Sequence, residues 1–172
     1  CAALSWPFAG GSVGGGVCRV TCTLRMSQPC SCAAVAPIAS RAAAVSRAIA
    51  DCDPQLVLNP AAFNQVDLAE QDPVTAFHVN ALAVRNIAVA CRDSGAQLVH
   101  YSTDYVFDGT LGRSYTEQDA THPLGAYAVS KLAGELYAHA YIDQALVIRT
   151  SAVFGPAGVH TARSNFIEMM LR

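Results

Sequence analysis

The sequence predicts an α/β fold built on a doubly wound parallel sheet. Three observations support this prediction: short apolar runs of strand length, longer helix-forming segments between them, and polar residues directly after each run. Strands that alternate with helices imply right-handed crossovers, and therefore parallel strands. Because ligands of such sheets bind at the carboxyl ends of the strands, we expect a functional site at that edge.

The first ordered elements of the prediction lie between residues 38 and 58. An Ala-rich segment over residues 40–50 predicts a helix, because Val45 and Ile49 are four positions apart and share a face. Asp53 and Pro54 then interrupt the helical pattern. Residues 56–58 form a short, wholly apolar run followed by Asn59 and a proline, as expected of a buried parallel strand that ends in a loop.

Two further pairs of elements repeat this alternation. Pro73 is placed to open a long helix over residues 73–92, Gly95 lies just past its end, and residues 97–102 form the next strand. A turn-rich loop then precedes a predicted helix over residues 123–141, a third strand over 146–148 and a last helix over 164–172. We expect Asp108 and Gly109 to form a turn in that loop.

The first 37 residues differ from the rest of the chain. Residues 1–37 are rich in Gly, Ser, Cys and Ala without strand or helix periodicity, so we predict an irregular N-terminal segment before a domain over residues 38–172. Five of the seven cysteines fall there, but their gaps do not match paired zinc knuckles, and we interpret them as unpaired thiols rather than a metal site. The five histidines show no metal spacing either.

Composition narrows the classes of function. The chain has 172 residues, 52% hydrophobic and 14% charged, which is enough to bury the core of one domain. The formal net charge is −2, and the eleven Lys and Arg residues form no basic run, which argues against a nucleic acid or a membrane surface as partner. No stretch reaches about 18 uninterrupted apolar residues, and we expect a soluble cytoplasmic protein.

A tyrosine and a lysine four positions apart carry the chemistry. Tyr127 and Lys131 fall within the predicted 123–141 helix, so both side chains lie on one face, one turn apart. A nearby ammonium stabilises a phenolate and lowers the pKa of the phenol, which would make Tyr127 a general acid suited to the reduction of a carbonyl. The plain alternative is an amphipathic tyrosine beside a solvated lysine.

The ordered motifs resemble the extended short-chain dehydrogenases, most closely the dTDP-4-dehydrorhamnose reductases. The resemblance covers about residues 53–172 and rests on a series of matching segments: 66–67 with 69–70, 102–109, 115–117, 123–124, Tyr127 with Lys131, 132–135, 149–151, 165–166 and 170–172. It implies a Rossmann-like NAD(P)-binding fold, NADPH or NADH as cofactor, and a dTDP-linked 4-keto sugar as substrate. A homodimer is compatible with it.

The resemblance also implies residue roles. Tyr127 would protonate the keto oxygen, Lys131 would lower the pKa of Tyr127 and hold the nicotinamide ribose, and Thr103 would hydrogen-bond the substrate oxygen. Asp104 would contact the sugar. The expected cofactor contacts, besides Lys131, are Ala61, Ala62, Phe63 and Tyr101. The plain alternatives are that Thr103 and Asp104 only form the turn that ends a strand, and that the two alanines are generic core residues.

Several departures from the family keep other functions open. The glycines between residues 10 and 16 do not form the Gly-rich fingerprint that follows the first strand of a dinucleotide fold. Pro60 and Ala152 stand where the family carries an alanine and a tryptophan. We expect the Rossmann-like domain to be incomplete and the chain to be a fragment that lacks the C-terminal substrate-binding part. The alternatives are a non-catalytic binding subunit, like the regulatory subunit of methionine adenosyltransferase, and an inactive fragment.

Overall fold

The computed structural model describes residues 42–151, which form a parallel sheet with helical crossovers. The elements in chain order are α1 (Ala42–Cys52), β1 (Leu56–Asn59), α2 (Val66–Gln71), α3 (Pro73–Ser94), β2 (Gln97–Thr103), a short 3₁₀ turn (Asp104–Val106), α4 (Ala126–Tyr141) and β3 (Leu146–Thr150). The predictions for the 1–37 segment with its cysteines and glycines, for the first two residues of the 40–50 helix, and for the 164–172 helix lie outside the described residues.

The sheet of the described part has three strands in the order β1, β2, β3, and both pairs are parallel. Leu56 is paired with Gln97 at the start of β1 and β2, and Thr103 with Thr150 at the end of β2 and β3. The carboxyl ends therefore lie along one edge of the sheet, which confirms the predicted parallel arrangement. The α3 helix connects β1 to β2, and α4 connects β2 to β3.

The main core lies between the sheet and the helices α1, α3 and α4. Its buried residues are Ile49, Val57, Val84, Ala88, Ala90, Cys91, Ala96, Leu98, Ala138 and Ala145. Ile49 is 1% exposed and Val45 packs against the same cluster, so the predicted apolar face of α1 is the one that packs on the core. Alanines make up half of this core because the α1, α3 and α4 backbones approach closely, which leaves little room for larger side chains.

The α3 helix follows the prediction at both ends and departs from it in the middle. Asp72 caps its first turn by accepting the backbone N–H of Thr75, with Pro73 next to it, and Gly95 ends it in the left-handed conformation at φ 76°. Between Pro73–Phe77 and Ala83–Ser94 lies a π-helical turn, His78–Leu82. A π-helical turn adds one residue to a helical turn, and the spacing of apolar residues in the sequence does not indicate it. Such turns are frequent at functional sites.

The α3 helix is also the one helix of residues 42–151 with the length and apolar composition of a membrane span. Of its most apolar window, 56% is buried inside the fold, where it packs against α1, α4 and β2. The apolar composition of a core helix accounts for this pattern.

One short helix was not predicted, and two elements near the carboxyl edge of the sheet differ from prediction at one end. The α2 helix was not predicted, because its six residues are too few to show a helical period. The α4 helix begins at Ala126 rather than 123, since Gly125 is extended (φ −151°, ψ 168°) and serves as the N-cap. The β3 strand continues two residues beyond Ile148, because Arg149 and Thr150 pair with Ser102 and Thr103 of β2.

Candidate functional site

The carboxyl edge of the sheet brings the predicted polar residues together. A cleft of about 1450 Å³ opens at this edge, and its wall includes Asp104, Tyr127 and Ser151. Tyr127 is half-buried on α4, and its phenol lies close enough to the side chain of Thr103, at the end of β2, for that side chain to affect its pKa. The structure therefore places the predicted acid next to the predicted substrate-binding hydroxyl.

Lys131 lies one turn further along α4, as the spacing predicts, and is only 2% exposed. Its ammonium donates a 2.6 Å hydrogen bond to the backbone oxygen of Tyr101 in β2. Burial lowers the pKa of Lys131 to about 8, while the carboxylate of Glu135 opposes that shift. Tyr101 therefore contributes its backbone carbonyl group to the site, and this group holds the Lys131 side chain against β2.

The lowering of the Tyr127 pKa that was expected from Lys131 is not seen in this structure. Burial of the phenol raises the pKa of Tyr127, and the hydrogen bond with Thr103 opposes the rise. The nearby groups Tyr105 and Asp104 add to it. The physical reason is that the ammonium is turned toward the carbonyl of Tyr101 and the phenol toward Thr103, so the two side chains share a helix face without forming a pair.

Thr103 and Asp104 also form a strand-terminating turn, which was the plain alternative for them. The hydroxyl of Thr103 accepts the backbone N–H of Tyr105 at 3.2 Å and so caps the 3₁₀ turn. The hydroxyl lies 3.2 Å from a carboxylate oxygen of Asp104, to which it donates. The ring of Tyr105 meets that of Tyr127 edge to face, with centroids 5.8 Å apart. The Thr103 side chain therefore has two roles: its hydroxyl caps the 3₁₀ turn after β2, and the same side chain lies beside Tyr127.

The loop after β1 contains the predicted cofactor contacts. Ala61 is half-buried, Ala62 is exposed and Phe63 is buried at 2% exposure. Phe63 lies in a small second core with Ala69, Ala76 and Val79, and Tyr127 packs against this cluster. The structure thus brings Phe63 to the tyrosine, while the two alanines lie on the loop between Phe63 and the end of β1.

Asn80, in the π-helical turn of α3, fixes this loop and was missed by the sequence analysis. Its side-chain oxygen accepts the N–H of Phe63 at 2.8 Å, and its amide donates to the carbonyl of Phe63 at 3.0 Å. The same amide group donates to the hydroxyl of Ser130 on α4 at 2.9 Å. Asn80 is fully buried, and a buried amide inside an apolar helix was the signal available in the sequence.

Gly134 allows α4 to approach the π-helical turn closely enough for these bonds. A Cβ at Gly134 would overlap the backbone oxygen of Asn80 and lie 3.3 Å from Nε2 of His100. His100 is itself fully buried on β2, and its Nδ1 lies 3.1 Å from the amide nitrogen of Asn59. Burial first, and then Lys131, lower the pKa of His100 to about 3, so this ring is neutral. Its Nε2 is the one buried side-chain nitrogen or oxygen without a hydrogen-bond partner in residues 42–151.

Glu70 caps the helix that carries the tyrosine and lysine. Its carboxylate, which comes from α2, accepts the N–H of Ala126 at 2.6 Å, across 56 residues of sequence. A negative charge at a helix N-terminus is favourable because the first N–H groups have no partner within the helix. The α2 helix, absent from the prediction, therefore supplies the group that fixes the start of α4.

Two aspartates organise the loop that borders the cleft. Asp108 accepts hydrogen bonds from the backbone and hydroxyl of Thr110, from the Tyr115 hydroxyl at 2.8 Å and from His122 at 3.0 Å. Asp119 is bound by two nitrogens of Arg113. These bonds hold the pKa of both carboxyl groups well below the usual range, chiefly through the Thr110 N–H for Asp108 and the Arg113 guanidinium for Asp119. Asp108 and Gly109 form a turn as predicted, with Gly109 at φ 76°.

A metal site is absent from this part of the chain. Within residues 42–151, no group of three or more His, Cys, Asp or Glu side chains is placed to hold a metal ion. The two cysteines in this part, Cys52 and Cys91, are unpaired, and burial raises the pKa of the Cys91 thiol to about 12.

The fold and the site together define a class: a Rossmann-like α/β domain whose Tyr-Lys helix packs at the carboxyl edge of a parallel sheet. A family model described as the RmlD substrate binding domain matches residues 22–172. The chain belongs to this family.

Known proteins of the same kind agree with the family. The chain is 44% identical over 128 residues to a dTDP-4-dehydrorhamnose reductase of Burkholderia thailandensis, a match that covers 74% of this chain and 41% of that protein. A protein of the same name from Escherichia coli K12 is 41% identical over the same share of each chain. The chain thus spans about two fifths of the length of these curated relatives.

Solved structures agree on the fold. The crystal structure of dTDP-4-dehydrorhamnose reductase from Bacillus anthracis in complex with NADP matches with a TM-score of 0.71 at 33% identity, over 77% of this chain and 46% of that one. A UDP-glucose 4-epimerase from Thermus thermophilus in complex with NAD matches with a TM-score of 0.62 at 32% identity, over 69% and 40% of the two chains. These neighbours confirm the predicted Rossmann-like fold.

Proposed function

We propose that the protein that carries this chain is an NAD(P)H-dependent reductase of a dTDP-linked 4-keto sugar. The observation that supports this most strongly is the convergence of Tyr127, Lys131 and Thr103 at the carboxyl edge of the sheet, in a chain that is 44% identical to a dTDP-4-dehydrorhamnose reductase over 128 residues. The substrate class is that of the relatives, which are dTDP-4-dehydrorhamnose reductases, and two of the solved neighbours are complexes with NADP and with NAD.

The residues present fit the nicotinamide half of the cofactor. The ammonium of Lys131 donates one hydrogen bond within residues 42–151, to Tyr101, out of the three that an ammonium can donate. We assign the others to the hydroxyls of the nicotinamide ribose. Ala61, Ala62 and Phe63 would line the cofactor, on a loop that Asn80 keeps in place through two hydrogen bonds with Phe63. The cofactor, when bound, supplies the hydride.

In this proposal the chain's own residues bind the substrate carbonyl and deliver a proton. The hydroxyl of Thr103 and the phenol of Tyr127 lie close to each other at the end of β2, and we assign both as hydrogen-bond donors to the keto oxygen, with the Thr103 hydroxyl turning from Asp104 to the substrate. Tyr127 donates its proton to that oxygen as the alcohol forms, and Lys131 stabilises the phenolate that remains. Because the pKa of Tyr127 is raised in this structure, we assign the stabilisation of the phenolate to the positive charge of Lys131, one helical turn away, rather than to a direct hydrogen bond. Asp104, exposed beside Thr103, contacts the sugar.

The finer assignments belong to the same proposal. Residues 38–172 form part of the NAD(P)-binding domain, the dTDP-sugar is the small-molecule partner, and the protein acts in the cytoplasm, without nucleic acid or membrane as partner. We leave NADPH and NADH as equal candidates, because the residues that choose between them follow a strand that the sequence does not identify. A homodimer remains compatible with the proposal.

A cofactor titration tests the proposal. We expect the fluorescence of NADPH or NADH to change on binding with a dissociation constant in the micromolar range. The Lys131→Met variant should bind more weakly, and Tyr127→Phe, the matched control at the other site residue, should bind as the parent does. Absence of binding at millimolar concentrations of both cofactors would contradict the proposal and favour a non-catalytic binding subunit or an inactive fragment.

A further inference from the structure

A carboxylate lies on the same face of α4 as the tyrosine and lysine. Glu135 is one turn beyond Lys131, as Lys131 is one turn beyond Tyr127, so the three residues form a row with a spacing of four. Glu135 is only 3% exposed. Burial of an ionised carboxylate costs free energy unless an opposite charge and hydrogen bonds compensate it. The partners of Glu135 therefore indicate its role.

The partners of Glu135 come from the two strands that end at the site. Arg149 of β3 donates from Nε to both carboxylate oxygens, at 3.1 and 3.2 Å, and from Nη2 to Oε2 at 2.7 Å. The hydroxyl of Ser102 in β2 donates to Oε1. Ser102 and Arg149 face each other in the register of the sheet, one residue before Thr103 and Thr150. The carboxylate therefore bridges the two strands next to their functional ends.

Arg149 is itself fixed in place, which makes the bridge rigid. Its guanidinium carbon lies 5.1 Å from the centre of the Phe107 ring, in a cation–π contact. The guanidinium is thus held between the ring and the carboxylate.

Two titratable groups interact electrostatically with Lys131: Glu135, one turn further along α4, and His100 of β2. The Tyr127 phenol lies one turn earlier on the same helix, and Arg149 of β3 binds Glu135. His100 is neutral and the Tyr127 phenol is protonated, for the reasons given above. Glu135 is therefore the negative group that acts on the buried ammonium, and its effect raises the pKa of Lys131 against the larger effect of burial.

We propose that Glu135, held by Arg149 and Ser102, is a positioning residue of this site that keeps the Lys131 ammonium charged and aligned with the end of β2. This inference rests on the proposed function, since the charge on Lys131 is what stabilises the phenolate of Tyr127. Without the carboxylate, Arg149 remains as an uncompensated positive charge, and the lysine loses its proton at a lower pH. A neutral amine then lies one helical turn from Tyr127, and the site loses its cation near neutral pH.

A direct titration of Lys131 tests this inference without any need for activity. Lys131 is the single lysine of the 172-residue sequence, so labelling with ¹³C,¹⁵N-lysine gives one side-chain signal whose shift can be followed from pH 5 to 11. We expect Glu135→Gln, which has the same shape, to lower the pKa of Lys131 by about one to two units. Arg149→Gln should raise it, because the carboxylate is then uncompensated. Ser102→Ala, which keeps both charges, is the matched control and should change it by less than about half a unit.

The two charge variants separate an electrostatic role from a merely structural one. If Glu135→Gln leaves the Lys131 pKa unchanged, or if both charge variants lower it equally, the inference is wrong. Amide spectra verify that each variant is folded. If Glu135→Gln does not fold, the double variant Glu135→Gln with Arg149→Met removes both charges together, and a smaller downward shift is expected, because the carboxylate one turn away on the helix is lost while no uncompensated guanidinium remains.

Kinetics of the full-length reductase then distinguish this inference from the proposed function. We expect the alkaline limb of kcat/KM to move to lower pH in Glu135→Gln by the shift that the titration measures. If the lysine titrates as expected but no keto sugar is reduced, the proposed function fails and the role of Glu135 stands. If the sugar is reduced and the alkaline limb does not move, the role of Glu135 fails and the proposed function stands.

Discussion

A substitution at Gly134 tests the close packing of α4 against the π-helical turn of α3, on which the geometry of the site depends. The Gly134→Ala substitution would normally stabilise a helix by about 1 kcal/mol, because alanine has the higher helix propensity. Here the added Cβ would overlap the backbone oxygen of Asn80 and come within 3.3 Å of His100 Nε2. Both neighbours are fully buried, so neither can move aside cheaply.

The expected magnitude follows from what must move. Relief of the overlap requires α4 to withdraw from the π-helical turn by roughly 1 Å, and such overpacking costs about 1–3 kcal/mol. The 2.9 Å bond from Asn80 to Ser130 spans these two helices and would break, at a further cost of about 1 kcal/mol. After the gain in propensity is subtracted, we expect the free energy of unfolding to fall by about 1–3 kcal/mol.

Urea denaturation followed by circular dichroism measures this change. Ala133→Gly, one position earlier in α4, is the matched control: it loses the propensity of alanine without any close approach, and should cost about 1 kcal/mol. If propensity alone governed both positions, the two substitutions would have opposite signs. A Gly134→Ala variant as stable as the parent, or more stable, would refute the close approach of α4 to Asn80.

Three other expectations concern the cap, the cleft loop and the cysteines. Glu70→Gln should lower the free energy of unfolding by about 0.5–1 kcal/mol, as measured in urea, because the N-terminus of α4 loses a negative charge; an unchanged midpoint would contradict the cap. Because the pKa of Asp108 is lower in the folded state than its ordinary value of 3.8, stability is full above that value and is lost as the pH falls below it. The melting temperature of Asp108→Asn should therefore fall less between pH 5 and 2 than that of the parent, and parallel curves would refute this. In native protein mapped by mass spectrometry, iodoacetamide should label the exposed Cys52 and spare the buried Cys91, with its pKa of about 12; equal labelling would contradict the burial of Cys91.

The sequence was most informative where a local pattern has a direct physical consequence. The apolar run 56–58, the glycine after α3 and the spacing of Tyr127 and Lys131 each predicted what the structure shows, because strand burial, a left-handed cap and a shared helix face depend on neighbouring residues. The parallel sheet followed from the alternation of strands and helices.

What the sequence did not reveal depends on contacts between distant segments. Glu70 caps α4 across 56 residues, and Asn80 binds Ser130 across 50, so no local period indicates either. The direction of the Tyr127 pKa shift depends on burial and on where the Lys131 ammonium turns, and neither follows from a four-residue spacing. The spacing of four between Tyr127, Lys131 and Glu135 is visible in the sequence. The role of Glu135 became apparent only from its contacts with Ser102 of β2 and Arg149 of β3.

The most direct test of the account is the turnover of a Tyr127→Phe variant of the full-length protein with a dTDP-linked 4-keto sugar and NAD(P)H. The substitution removes only the phenolic oxygen and leaves the packing of the ring against Phe63 in place. We predict that kcat falls by about two to four orders of magnitude, the usual contribution of a positioned acid, with cofactor affinity unchanged. Turnover close to that of the parent would contradict the role of Tyr127 and with it the proposed reductase.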